Sequence, residues 1–119
     1  IESSHIYPDF NLFCIEAARV LKPGGLFSFA DFREAAAVDA AVSAIEAAGF
    51  EIDSRKDISA NVCFGLTADA DNRRALIAKY IPFWLRSPVS QFAGVPGSKF
   101  YNDLSSGETI YVSVKARKR

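Results

Sequence analysis

The run Lys22-Pro23-Gly24-Gly25 constrains the fold more than any other feature of this sequence. It stands between a helical pattern and a buried strand. Pro8-Asp9 is a helix-start signal, and Phe10, Phe13, Cys14, Ala17 and Leu21 follow at helical spacing as one apolar stripe. Proline then removes a backbone donor and the two glycines accept dihedrals other residues avoid, so the helix stops there. Residues 26–30, Leu-Phe-Ser-Phe-Ala, form a short apolar run that reads as a buried strand ending in Asp31-Phe32-Arg33. A second helix is predicted over 35–48, with Val38, Ala41, Val42, Ile45 and Ala48 as its buried stripe and Gly49 at its end. Phe50, Ile52 and Ser54 then alternate with Glu51, Asp53 and Arg55 as a half-exposed strand. Strand, helix, strand at these lengths implies parallel strands joined by a right-handed crossover.

Residues 58–106 break this rhythm. They are rich in aromatics and mostly helical in pattern, clearest over 70–80, and Pro82, Pro88, Gly94, Pro96 and Gly97 cut the rest into short pieces. Ile110, Val112, Val114 and Ala116 then alternate with Thr109, Tyr111, Ser113 and Lys115, which predicts a last strand, antiparallel or with one wet face. The organisation expected is 1–57 as helix-strand-helix-strand core, 58–106 as a helical insertion, and 107–119 as the final strand with a basic tail.

Composition narrows the class of function. Half of the residues are apolar and 24% are charged, as in ordinary globular proteins. Lys plus Arg balance Asp plus Glu at 14 each, so no net field draws the chain to nucleic acid or to an anionic membrane. The basic end, Lys115, Arg117, Lys118 and Arg119, reads as a solvated tail. No apolar run approaches the roughly 18 residues of a membrane span. Cys14 and Cys63 sit in no CxxC or Cys/His cluster, and read as two buried thiols of a reducing, cytoplasmic compartment. One histidine and scattered carboxylates give no metal-ligand spacing. The chain opens at Ile1 without methionine or signal-peptide features, and reads as part of a longer protein, natural or cropped.

Arg19-Val20-Leu21-Lys22-Pro23-Gly24-Gly25 resembles the turn that joins the helix after the fourth strand to the fifth strand in class I S-adenosylmethionine-dependent methyltransferases. Glu2-Ser3-Ser4-His5-Ile6-Tyr7-Pro8-Asp9 before it and Phe29-Ala30-Asp31-Phe32 after it resemble that family at matching spacing. The resemblance implies an α/β fold: the C-terminal half of a Rossmann-like seven-stranded sheet, with the fifth and sixth strands and an antiparallel seventh inserted between them. It also implies S-adenosylmethionine as cofactor. Phe92-Ala93-Gly94-Val95-Pro96-Gly97-Ser98, Tyr101 and Ser106-Gly107-Glu108 resemble the tail of a narrower group, the phthiotriolone-type O-methyltransferases, which act on hydroxyls of polyketide-derived lipids. The family's glycine-rich loop after the first strand and its ribose-holding acid have no counterpart here. Gly24-Gly25 precedes a strand, whereas a cofactor loop follows one.

In the implied fold, His5 and Asp31 meet beyond the carboxyl ends of neighbouring strands, where open α/β sheets bind ligands. In related sugar O-methyltransferases a histidine and an aspartate at these places are the catalytic base and its partner. An aliphatic hydroxyl is a poor nucleophile until its proton leaves, and an imidazole, with an ordinary pKa of about 6.5, accepts protons near neutrality. A carboxylate beside it fixes the tautomer and stabilises the imidazolium. The plain alternative is that both residues only cap helices. Tyr7 either lines the acceptor pocket or packs under the helix. Ser3 and Ser4, with Glu2, are candidates for the cofactor's methionine part, Phe64 and Trp84 for the walls of an apolar acceptor pocket within a substrate lid, and Arg33 reads as a surface residue. The expectation is methyl transfer to a hydroxyl of a hydrophobic, lipid- or polyketide-like small molecule by the whole protein, without nucleic-acid partners. The rival is a non-catalytic α/β fragment or interaction module. A nicotinamide dehydrogenase is disfavoured by the Pro-Gly-Gly turn and the antiparallel last strand.

Overall fold

The computed structural model describes the backbone of residues 1–119 and every side chain except that of Phe92. Phe92, one of the aromatics of the lipid-methyltransferase-like tail, therefore lies outside the described side chains. The chain divides into two compact units, Ile1–Ile58 with Ile110–Arg119, and Ser59–Thr109.

The first unit begins with a 3₁₀ turn, Ser4–Ile6, followed by helix α1, Phe10–Val20. Asp9 caps α1, its carboxylate accepting from Leu12 N at 2.9 Å. Asp9→Ala is expected to lower stability by about 1 kcal/mol, the usual worth of such a cap, read from the midpoint of a urea titration. At the other end of α1 the Pro-Gly-Gly run makes a type II turn. Gly25 N donates to Lys22 O at 2.8 Å, Pro23 occupies the first corner, and Gly24 holds φ +77° at the second. Gly25 is required for a different reason: a Cβ there would lie 2.7 Å from Lys22 O.

Strand β1, Leu26–Glu34, follows the turn, then a 3₁₀ turn, Ala35–Ala37, and helix α2, Val38–Ala47. The first turn of the predicted 35–48 helix is thus tightened to 3₁₀, and Ala37, which precedes α2, offers no side-chain acceptor for its free N–H groups. Strand β2 spans Phe50–Asp57 and strand β3 spans Thr109–Lys118. The sheet order is β1-β3-β2, with β3 antiparallel to β2 from Phe50↔Lys118 to Asp57↔Val112 across a bulge at Ile52/Ser54. At its other edge, the end of β3 clasps the turn before β1: Gly24 N donates to Lys118 O at 2.8 Å and Lys118 N to Gly25 O at 2.9 Å. The last strand therefore lies between the other two.

One face of the sheet carries the core. Phe27 and Phe29 of β1, Phe50 of β2, and Val112, Val114 and Ala116 of β3 pack with Cys14 and Ala18 of α1 and Val38 and Ile45 of α2. The alternation read in β3 is that of its burial, with Val112, Val114 and Ala116 inside. Strand β1 corrects the expectation of a strand ending near residue 30. It continues through Asp31, which is wholly buried inside the strand. A buried carboxylate does not stop a strand when its oxygens are hydrogen-bonded.

The second unit is helical: α3, Ser59–Ala68; α4, Ala70–Tyr80; a 3₁₀ turn, Phe83–Leu85; α5, Arg86–Phe92; and α6, Lys99–Ser106. Leu66, Ala70, Val95 and Leu104 are its buried apolar residues. Gly94, at φ +62°, sits so close to Leu66 and Phe100 that a Cβ would meet them at 3.1 and 3.3 Å. Both cysteine thiols are free; Cys14 is fully buried, while Cys63, expected inside, is only half-buried. Burial pushes the Cys14 thiol up to about 11, with the Arg33 charge working against it. Among the described residues no helix is long and apolar enough to cross a membrane.

Candidate active site

Ile1 lies along the edge of β1, its backbone nitrogen donating to Ser28 O at 2.9 Å while its carbonyl accepts from Ala30 N at 2.8 Å. This pairing carries residues 2–5 past the inner half of β1 and brings Ser4 and His5 onto Asp31.

Asp31 is the centre of the arrangement. Its Oδ2 accepts from Ser4 Oγ at 2.7 Å and from the His5 backbone N–H at 2.9 Å. Its Oδ1 lies 2.8 Å from His5 Nδ1 and accepts from Phe32 N at 3.0 Å. Burial works to raise its pKa, but the hydrogen bonds from Ser4 and from the His5 ring and backbone outweigh it and hold the carboxyl below the usual range. Asp31 is therefore a carboxylate at neutral pH, and a carboxylate only accepts. The hydrogen between the two residues must sit on His5 Nδ1, which leaves the lone pair of the neutral ring on Nε2. The His5 side chain is 33% exposed and Asp31 is 0% exposed, so the imidazole reaches solvent while its partner does not. The His5 ring also lies against Phe32, with centroids 4.1 Å apart.

The other candidates fall as follows. Tyr7 is half-buried, packs against Phe13 at 4.9 Å between centroids, and shares a 3.1 Å hydrogen bond with Ser3 Oγ. Ser4 is 1% exposed, and its hydroxyl donates to Asp31 while accepting from Arg33 Nη2 at 2.7 Å. Ser3 stays exposed. Of the two serines, one hydroxyl is turned inward to Asp31 and the other is shared with Tyr7 at the surface. Phe64 on α3 and Trp84 in the turn Phe83–Leu85 belong to the second unit, where they are 77% and 65% exposed, so neither ring is enclosed within that unit. Among the described residues no three His, Cys, Asp or Glu side chains gather as a metal site would require.

Three participants were not read from the sequence. Arg33, expected at the surface, is half-buried, its guanidinium 4.5 Å from the Phe10 ring centroid. Tyr111 donates to Glu2 Oε1 at 2.6 Å. Burial, that hydrogen bond, and the charges of Glu2 and Asp31 all raise the Tyr111 pKa, so the phenol keeps its proton. The Phe32 ring is in contact with that of His5 and lies 6.3 Å, centroid to centroid, from that of Tyr111. The alternation of β3 did put Tyr111 on the face opposite the core, but nothing local in the sequence says that β1 is the strand beside it.

Comparison with known proteins gives this geometry a context. No protein-family model matches the chain. A phthiotriol/phenolphthiotriol dimycocerosates methyltransferase of Mycobacterium tuberculosis is 34% identical over 93% of the chain and 41% of its own length. A fatty-acid O-methyltransferase of Mycolicibacterium smegmatis is 31% identical over 93% of the chain and 40% of its own length. The chain thus spans about two fifths of the curated relatives it matches. Among solved structures, StiE O-MT superposes with a TM-score of 0.68 at 22% identity, over 98% of this chain and 41% of that one. The [4+2]-cyclase SpnF superposes with a TM-score of 0.59 at 24% identity, over 91% and 43%. At such identities the two structures speak for the α/β fold alone, and the cyclase shows that this fold serves more than one chemistry. By sequence, the chain is a homologue of the mycobacterial phthiotriol dimycocerosates and fatty-acid O-methyltransferases, matching about two fifths of their length.

Proposed function

We propose that the protein carrying this chain transfers a methyl group from S-adenosylmethionine to a hydroxyl of a hydrophobic small molecule of lipid or polyketide type. The observation that supports this reading best is the His5–Asp31 pair: an imidazole reaching solvent, with its tautomer set by a buried carboxylate at 2.8 Å. His5 Nε2 takes the proton of the acceptor hydroxyl, and the resulting imidazolium is stabilised by Asp31. Acceptor and base are thereby held in one geometry, which itself supplies much of the acceleration. In this reading Tyr7 lies on the acceptor side and Ser3 contributes to the donor side.

The kinship to a fatty-acid O-methyltransferase raises a carboxyl acceptor as a second reading. A fatty acid has an ordinary pKa near that of other carboxyls, about 4, and is already ionised at neutral pH, so it has no proton for a base to remove. A base held this carefully argues for the alcohol. The test is a competition assay with methyl-labelled donor, the intact protein, and a long-chain alcohol, the matching fatty acid and the matching amine. Label is expected in the methyl ether. Label only in the ester or the methylated amine, or none at all, would overturn the hydroxyl assignment.

A further inference from the structure

Asp31 is held by more than His5. Arg33 Nη2 donates to Ser4 Oγ at 2.7 Å, and Ser4 Oγ donates to Asp31 Oδ2 at 2.7 Å. The direction of every hydrogen in this chain is fixed by chemistry. A guanidinium only donates, so the Ser4 oxygen must accept from it; the single hydroxyl hydrogen is then left for the carboxylate, which only accepts. The carboxylate in turn requires the hydrogen of His5 on Nδ1. A run of four side chains is thus polarised one way, from the Arg33 cation to the Nε2 lone pair.

Arg33 is an expensive residue to keep in this place. It is half-buried, and its Nε is buried without a hydrogen-bond partner among the described residues. The cation is compensated in part by the faces of Phe10 at 4.5 Å and Phe29 at 5.8 Å. A half-buried cation with one nitrogen buried and unpaired costs stability that an apolar side chain would not, and calls for a role beyond packing. Resting on the reading of His5 as base, we infer that Arg33, acting through Ser4, is a positioning residue for methyl transfer. Its cation anchors the hydroxyl, the hydroxyl fixes the plane of the Asp31 carboxylate, and the carboxylate keeps His5 in the one tautomer whose lone pair is on Nε2.

Two readouts test this. The first does not depend on activity: nitrogen-15 NMR of histidine-labelled intact protein at mildly alkaline pH, with the His5 signal identified by its loss in His5→Ala. The wild type is expected to show the Nδ1–H tautomer alone. Ser4→Ala and Arg33→Met are each expected to show a mixture with the Nε2–H form, while Ser4→Thr, which keeps the hydroxyl, is expected to retain the single tautomer. The second readout is turnover, expected to fall about 10-fold in Ser4→Ala and in Arg33→Met with little change in KM, as for other groups that orient a reacting residue. The double variant should be no slower than either single one, because both substitutions cut the same run. Should Arg33→Met fail to fold, Arg33→Lys, which keeps the cation but not the planar fork, is expected to show a partial mixture of tautomers. A single unchanged tautomer in Ser4→Ala and in the Arg33 variant, or multiplying losses of turnover in the double variant, would overturn the inference. Normal turnover in His5→Ala would instead remove the base reading and leave the tautomer result standing on its own.

Discussion

In the intact protein, His5→Ala is expected to lower turnover of an aliphatic hydroxyl acceptor by about 10²–10⁴-fold, the range for loss of a positioned general base. The reason lies in the geometry around Asp31. With Nδ1 committed to the carboxylate at 2.8 Å, Nε2 is the only ring atom able to take a proton. The acid limb of the rate profile, where protonation of the imidazole removes the base, is expected to vanish with the ring. Affinity for the methyl donor should hardly change, since the imidazole serves the acceptor. The identity of the acceptor supplies an internal control. A phenol, with a pKa of about 10, releases its proton far more readily than an alkanol and should lose much less. The measurement is turnover at saturating donor from about pH 5 to 9, on both sides of neutrality. Near-normal turnover with the acid limb intact would leave His5 as an ordinary part of the turn Ser4–Ile6.

Asp31→Asn should destabilise the first unit by roughly 2–4 kcal/mol at neutral pH, beyond any effect on turnover. The carboxylate accepts from Ser4 Oγ, His5 N, His5 Nδ1 and Phe32 N. An amide keeps one accepting oxygen and turns an NH₂ group toward donors that face it, and each buried group left unsatisfied costs about 1–3 kcal/mol. The pH dependence carries the sign. The folded-state pKa of Asp31 is lowered, so its contribution is complete above the unfolded value of about 4 and is lost as pH falls through the lower folded value. The stability gap between wild type and Asp31→Asn is therefore expected to be widest at neutral pH and to narrow in acid. Urea titrations of both proteins at about pH 7 and pH 3 measure it, either side of the unfolded carboxyl value. A gap of the same size at both would mean that the charge of Asp31 is not what holds Ser4 and His5.

The pairing of His5 with Asp31 was legible because two kinds of local signal agreed. The Pro-Gly-Gly turn located the start of β1, and residues 2–9 and 29–32 stood at the spacing of a recognisable family. The alternation in β3 was legible because a strand with one buried face writes its period directly into the sequence. What surrounds the pair was not. Asp31 looked like the end of a strand, since a charged residue after an apolar run usually marks one; only the donors of residues 4, 5 and 32, placed by tertiary structure, make its burial tolerable. Arg33 looked like a surface cation for the same reason, and the Phe10 face that covers it belongs to another element. That the Ser4 hydroxyl joins Arg33 to Asp31 is likewise written nowhere in the local pattern. Glu2 and Tyr111 meet across nearly the whole length of the chain, a contact no local pattern announces.

The route by which the chain leaves and rejoins the sheet has a consequence for how such proteins diversify. Ile58 N donates to Tyr111 O at 2.8 Å, directly after the last paired rung of β2 with β3, so the helical segment 59–109 is, topologically, an enlarged hairpin loop. Its two ends are held at ladder distance whatever lies between them. Closing such a loop costs free energy that grows only with the logarithm of its length, about 0.6 kcal/mol for each doubling. Helices can thus be added, shortened or exchanged there at small cost to the sheet, while the clasp of Lys118 on Gly24 and Gly25 keeps the register of the strands. Variation in the helical segment is thereby uncoupled from the pairing of the strands and from Asp31, which lies on β1.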